Sequence, residues 1–134
     1  MARILVIDDE DLARFTIKDF LENAGHEVVE ARDGEEGVHF QKAQPFDLIV
    51  TDIIMPKKEG VETIIEIKRD FPEIKIIAIS GGGRTRNLDF LELANKFGAD
   101  RVLAKPFTEL ELIEHVEACL KEIAHWRIDQ ERQN

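Results

Sequence analysis

The sequence predicts an α/β fold: a doubly wound, five-stranded parallel sheet with helices on both faces. Three observations predict it. Short apolar runs alternate with longer amphipathic stretches from one end to the other, the pattern of repeated βα units. The runs at residues 4–7, 48–50 and 74–79 lack polar alternation, as parallel strands covered on both faces require. Finally, 134 residues make one domain, and the lone Cys119 excludes a disulfide framework or a CxxC pair.

The first strand is Ile4-Leu5-Val6-Ile7, and the helical stretch 12–24 after it stops at Gly25, a residue type free to take the left-handed conformation. Val28-Val29-Glu30-Ala31 is the second strand, of mixed composition and therefore an edge candidate. Asp33-Gly34-Glu35-Glu36 then places a capping oxygen three residues before an acid that can cap in return. Leu48-Ile49-Val50 is the third strand. Pro56 and Gly60 bracket the start of a helix over 61–69, and Pro72 keeps it from running into the fourth strand at 74–79. In the fourth helical stretch Phe90, Leu93, Ala94 and Phe97 share one stripe, with Leu88 and Leu91 off it. The fifth strand is Val102-Leu103-Ala104, the other edge candidate. Thr108-Glu109-Leu110-Glu111 repeats the capping device before a last helix with Leu112, Val116, Cys119, Leu120 and Ile123 on its apolar side. Trp126 lies past the cover the sheet needs, and the polar residues 129–134 are expected to fray.

Charge narrows the function. With 28 acidic and 18 basic residues, a net charge of -10 and no basic cluster, the chain repels phosphate backbones and anionic lipid. Neither nucleic acid nor a membrane is an expected direct partner. Its apolar runs are too short to span a bilayer, and Met1-Ala2-Arg3 leads into a strand rather than a cleavable signal. A cytoplasmic location is the expectation.

Loops at the carboxyl ends of such a sheet converge on one crevice. Asp8-Asp9-Glu10-Asp11 follows the first strand, Thr51-Asp52 the third, Ser80-Gly81-Gly82-Gly83 the fourth and Lys105-Pro106 the fifth. Asp8, Asp9 and Asp52 then form a carboxylate trio whose members repel one another and need a cation. A hard divalent ion such as Mg²⁺ suits this set; zinc would want His or Cys. Lys105 offers a point charge and Ser80 a donor for phosphoryl oxygens. Asp52, at the end of the central strand, is the carboxylate best placed to attack phosphorus and form an aspartyl phosphate. Acids at a helix start also serve merely as caps, and Asp before a turn merely as a turn former; the coincidence of all these groups at successive strand ends favours chemistry. His26, His39, His115 and His125 stand away from the strand ends and read as structural or surface residues.

Ile7-Asp8-Asp9-Glu10, Asp52-Ile53-Ile54-Met55-Pro56 followed by Gly60, Ala78-Ile79-Ser80, and Gly98-Ala99-Asp100 leading to Lys105-Pro106-Phe107 form an ordered set spanning nearly the whole chain. In these motifs the sequence resembles a response-regulator receiver domain of two-component signal transduction, of the single-domain type. The resemblance implies the flavodoxin-like strand order 2-1-3-4-5. It implies that Asp52 accepts a phosphoryl group from a phosphohistidine on a sensor histidine kinase or histidine phosphotransfer protein. Asp9 and Asp52 would bind Mg²⁺ directly, Asp8 through water, and Ile54 through its backbone carbonyl. Ser80 and Lys105 would contact the phosphoryl oxygens. Such a domain is not a turnover enzyme, although it promotes its own phosphorylation and dephosphorylation. Its downstream protein target would dock on the face of the fourth helix, fifth strand and fifth helix, which could also pair two copies as a homodimer.

One departure is Val102, where receivers usually carry a switch aromatic. Another is the loop 81–84, glycine-rich and without a shielding side chain, from which loop rearrangement is expected to carry the output. A haloacid-dehalogenase-type phosphatase would place a second acid at position 54, which is Ile, and a flavodoxin-like FMN binder would suffer repulsion at residues 8–11. The expected organisation is a receiver over 1–125 and a helix end or tail over 126–134, with output through a surface. The alternative is the amino-terminal receiver of a larger transcriptional or enzymatic regulator.

Overall fold

The computed structural model describes residues 1–53, 60–80, 92, 96 and 98–133. Strands β1 (Arg3–Ile7), β2 (Glu27–Ala31), β3 (Leu48–Asp52), β4 (Lys75–Ser80) and β5 (Arg101–Ala104) form one parallel sheet in the order β2-β1-β3-β4-β5. The expected order holds, and the two mixed-composition strands are its edges. Helices α1 (Asp11–Asn23), α2 (Gly34–Ala43) and α3 (Gly60–Asp70) and the C-terminal helix (Glu109–Gln133) cover it. Ile54, Met55, Pro56, the loop 81–84 and the expected fourth-helix residues Leu88, Phe90, Leu91, Leu93, Ala94 and Phe97 lie outside the described residues.

Because side chains alternate along a strand, each central strand feeds two cores. Leu5, Ile7, Ile49, Ile76 and Ala78 pack with Ile64 and Ile67 of α3 and Val38 of α2. Ile4, Val6, Leu48, Val50, Ile77 and Ile79 pack with Ile17 and Leu21 of α1 and with Leu112, Val116 and Cys119. Apolar burial on both faces is why these runs carry no polar alternation. Cys119 is a buried member of this core, as its stripe position implies. Burial pushes its thiol up to about 11, with Glu122 and Asp100 pushing the same way, so it stays protonated at neutral pH.

The punctuation works mostly as the sequence implies. Gly25 has φ +92° and its N–H closes α1 on the Glu22 carbonyl at 2.9 Å. Before the C-terminal helix, Thr108 Oγ1 accepts from the Glu111 amide at 3.1 Å, and Glu111 Oε1 accepts from the Thr108 amide at 3.2 Å, a full reciprocal box. At α2 the Asp33 side chain caps Glu36, but Glu36 reaches back to the amide of Arg32 rather than that of Asp33. The polar end expected to fray is helical through Gln133. No Gly or Pro interrupts that stretch. Along it Arg127 pairs with Asp47 at 3.6 Å, and His125 lies 3.7 Å from Asp129. No helix among the described residues is long and apolar enough to cross a membrane.

The seam between β5 and the C-terminal helix is pH-sensitive. Arg101 Nε donates to His115 Nδ1 at 2.8 Å, which requires an unprotonated imidazole nitrogen. Burial, followed by the Arg101 charge, lowers the His115 pKa below its ordinary 6.5. The unfolded chain then binds a proton that the folded chain refuses, so this contribution to stability is complete above pH 6.5 and lost as pH falls toward the folded value. His115→Gln is therefore expected to flatten the pH dependence of denaturant stability just below pH 6.5; a variant with the wild-type slope there would contradict it.

Candidate functional site

Parallel βα connections leave every strand's carboxyl end on one edge, so residues far apart in sequence meet there. Asp8 follows β1, Asp52 ends β3, Ser80 ends β4 and Lys105 follows β5. The register aligns Asp52 with Ile79 and Ser80 with Ala104, and the Lys105 N–H donates to the Ser80 carbonyl at 3.0 Å. The ladder therefore holds Asp52, Ser80 and Lys105 side by side.

Carboxylate oxygens of Asp8, Asp9 and Asp52 all lie within 4.8 Å of one another. Asp8 and Asp52 are buried and Asp9 is exposed, so the trio is deep on one side and open to solvent on the other. Lys105 Nζ stands 3.6 Å from Asp8 Oδ2 and 3.8 Å from Asp52 Oδ2, bridging the two buried acids. Among the described residues, the Lys105 ammonium faces two of the three carboxylates, which leaves the described group with surplus negative charge.

Asp8 is tied down at every atom but one. Its N–H donates to the Ala31 carbonyl at 3.1 Å, its Oδ1 accepts from the Glu10 amide at 2.9 Å, and its carbonyl accepts from Arg14 Nη1 at 2.9 Å. Its Oδ2 is buried and, among the described residues, has no hydrogen-bond partner, only the ion-pair contact with Lys105 at 3.6 Å. Burial raises the Asp8 pKa above its ordinary value, and the neighbouring Asp9 and Glu10 charges add to this; the Glu10 amide and Lys105 oppose it. Glu10 at the N-cap of α1 makes no side-chain capping bond; the Asp8 side chain takes the Glu10 amide instead. Ser80 Oγ is likewise buried without a hydrogen-bond partner among the described residues. A carboxylate oxygen and a hydroxyl without hydrogen-bond partners among the described residues, both costly to bury, lie at the ends of β1 and β4, on either side of β3.

This donor set fits a hard divalent cation: all-oxygen ligands, surplus negative charge and one open side for water. Asp8, Asp9 and Asp52 could hold it. Ile54, the further ligand expected through its carbonyl, lies outside the described residues. The histidines stay away from this edge: His26 is buried, accepting from the Ala2 amide at 3.1 Å, and His39 and His125 are exposed.

Two features escaped the sequence reading. Arg14 is a charged residue at 5% exposure on the same helical stripe as the buried Ile17 and Leu21, and that position on a core stripe was the available signal. Leu12 and Phe15, 79% and 49% exposed, lie in the first turns of α1 beside the acidic pocket.

Comparison with known proteins agrees with this geometry. A family model described as the response regulator receiver domain matches residues 4–117. The chain is 32% identical over 131 residues to the transcriptional regulatory protein CpxR of Escherichia coli (strain K12), covering 98% of this chain and 54% of that protein. It is 35% identical over 121 residues to the transcriptional regulatory protein PdtaR of Mycobacterium tuberculosis (strain ATCC 25618 / H37Rv), covering 88% of this chain and 56% of that one. It thus spans about half the length of these curated relatives. Among solved structures it is similar to a response regulator receiver domain protein from Clostridium thermocellum, with TM-score 0.84 and 35% identity over 91% of this chain and 96% of that one.

Proposed function

The chain belongs to the response regulator receiver domain family of two-component signalling, and from that premise we propose that it is a phospho-acceptor whose Asp52 takes a phosphoryl group from a phosphohistidine. The observation that carries the reading is the convergence of Asp8, Asp9 and Asp52 within 4.8 Å with the Lys105 ammonium against the two buried acids.

In the proposed reaction an Asp52 carboxylate oxygen forms a bond to phosphorus while the phosphorus–nitrogen bond breaks, its electron pair returning to the imidazole. Asp52 supplies the nucleophile from a rigid central strand. Lys105 is placed to balance charge on the phosphoryl oxygens, and the Ser80 hydroxyl, which has no hydrogen-bond partner among the described residues, is a ready donor to one of them. When bound, Mg²⁺ would supply charge neutralisation and orientation at phosphorus, held by Asp8, Asp9 and Asp52 with the Ile54 carbonyl as a further ligand. Water later attacks the same phosphorus, so the domain promotes both its phosphorylation and its dephosphorylation without turning over a substrate as an enzyme does.

The test is to incubate the chain with acetyl phosphate and Mg²⁺ and locate the label by mass spectrometry. Label on Asp52 is expected; label elsewhere, or none, overturns the reading.

The partner on the input side is a sensor histidine kinase or histidine phosphotransfer protein, in the cytoplasm, and the output is altered contact with a downstream protein or a second copy. Leu12, exposed in the first turn of the helix that follows Asp8 and Asp9, supplies apolar area for the input contact. Leu12→Ala is expected to slow labelling from a phosphohistidine protein roughly tenfold, the order set by losing a buried apolar side chain at an interface. Labelling from acetyl phosphate should be unchanged, and an equal fall with both donors would refute the docking role. Coverage of only 54% of CpxR favours a second arrangement, in which this receiver is the regulatory part of a longer regulator. The mass of the native protein decides between the two.

A further inference from the structure

The geometry points to Arg14 as the positioning residue of the acidic pocket: its guanidinium fixes the Asp8 peptide so that Asp8 Oδ2, which makes no hydrogen bond among the described residues, is presented to a divalent cation. The inference rests on the proposed Mg²⁺-dependent function. Arg14 is nearly buried, and its fork makes three separate contacts. Nη1 donates to the Asp8 carbonyl at 2.9 Å, Nη2 to Asp11 Oδ1 at 2.7 Å, and Nε to Glu30 Oε1 at 3.1 Å. Its guanidinium carbon also lies 5.3 Å from the Phe15 ring centroid. One side chain thereby joins the end of β1, the start of α1 and strand β2.

The consequence falls on Asp8. The Ala31 carbonyl fixes the Asp8 N–H and the Glu10 amide fixes Oδ1, so Arg14 supplies the remaining restraint, on the carbonyl. With all three in place the rotation of the peptide and the direction of Oδ2 are set. Mg²⁺ demands near-ideal octahedral geometry, so a small swing of this carboxylate is felt as lost affinity. Lysine cannot substitute, because a single ammonium on a flexible stem lacks the planar fork that meets three divergent acceptors at once.

The experiment is a calorimetric titration of Mg²⁺ into the wild-type chain, Arg14→Met and Arg14→Lys, well below each melting temperature, with the fold checked by amide NMR. Arg14→Met is expected to weaken Mg²⁺ binding about tenfold or more, the usual scale for losing a residue that orients a metal ligand. Arg14→Lys, which keeps the charge, should also bind more weakly than wild type and decides alone if the Met variant does not fold. Wild-type affinity in Arg14→Lys would overturn the assignment, because charge or general packing would then suffice. If the wild-type chain itself binds no Mg²⁺, the proposed function falls and the role of Arg14 with it; wild-type binding with unaltered variants removes the role of Arg14 alone.

Discussion

An Asp52→Ala chain is expected to take up no phosphoryl label from acetyl phosphate and Mg²⁺ while keeping its fold. Asp52 is the carboxylate that the central strand itself ends on, buried at 6% exposure with Lys105 Nζ at 3.8 Å. Neither remaining acid is an equivalent nucleophile. Asp8 is pushed toward its protonated form by burial and has Oδ1 engaged by the Glu10 amide, and Asp9 is exposed to water. Stability should survive for electrostatic reasons. Removing one of two buried acids lessens like-charge repulsion, and Lys105 still faces Asp8 at 3.6 Å. The β3–β4 ladder bonds are backbone bonds and do not involve the side chain. Intact-mass analysis and a thermal melt read both halves of the expectation. Wild-type labelling of the variant would refute the assignment of Asp52, and unfolding would refute the account of its burial.

The second large effect is expected from Gly60→Ala at the start of α3. Gly60 packs directly on the end of β3, its N–H donating to the Ile53 carbonyl at 2.6 Å. A Cβ there would fall inside the van der Waals surfaces of the Asp52 carbonyl oxygen and the Ile53 Cα. Both obstacles are backbone of the sheet edge, so no flexible side chain can swing away, and the strand end or the helix must move. Overpacking of this kind costs ~1–3 kcal/mol, and more where backbone must shift. The displaced atoms belong to Asp52 and its neighbour, so labelling with acetyl phosphate should slow together with the loss of stability. Denaturant unfolding and labelling rate, measured on the same variant, check the coupling; a stable variant that labels at the wild-type rate would contradict it.

Much of this site was legible in the sequence because its residues are fixed by local order. Asp8, Asp52, Ser80 and Lys105 stand at the carboxyl ends of apolar runs, and right-handed βα connections carry those ends to one edge whatever the details of packing. Capping at Thr108 and the turn at Gly25 were equally local, each needing only a few consecutive residues. Where the reach was longer, the sequence was less informative. Glu36 was expected to cap its own box and instead reaches Arg32, a choice set by how the end of β2 meets α2. The C-terminal helix continues past residue 129, and on it Arg127 meets Asp47, a partner distant in sequence.

By itself, then, the sequence determined the fold class, the sheet order through its family resemblance, and the identity of the acids, hydroxyl and lysine at the strand ends. Alternation, propensity and turn chemistry are properties of neighbouring residues, so they can be read in order along the chain. Only the tertiary structure decided that Asp8 Oδ2 and Ser80 Oγ are buried without hydrogen bonds among the described residues, that Gly60 must lack a side chain, and that Arg14 turns inward to contact Asp8 and Glu30. Those outcomes depend on contacts among β1, α1, β2, β3 and α3, and on the desolvation that arises only once the elements have packed together.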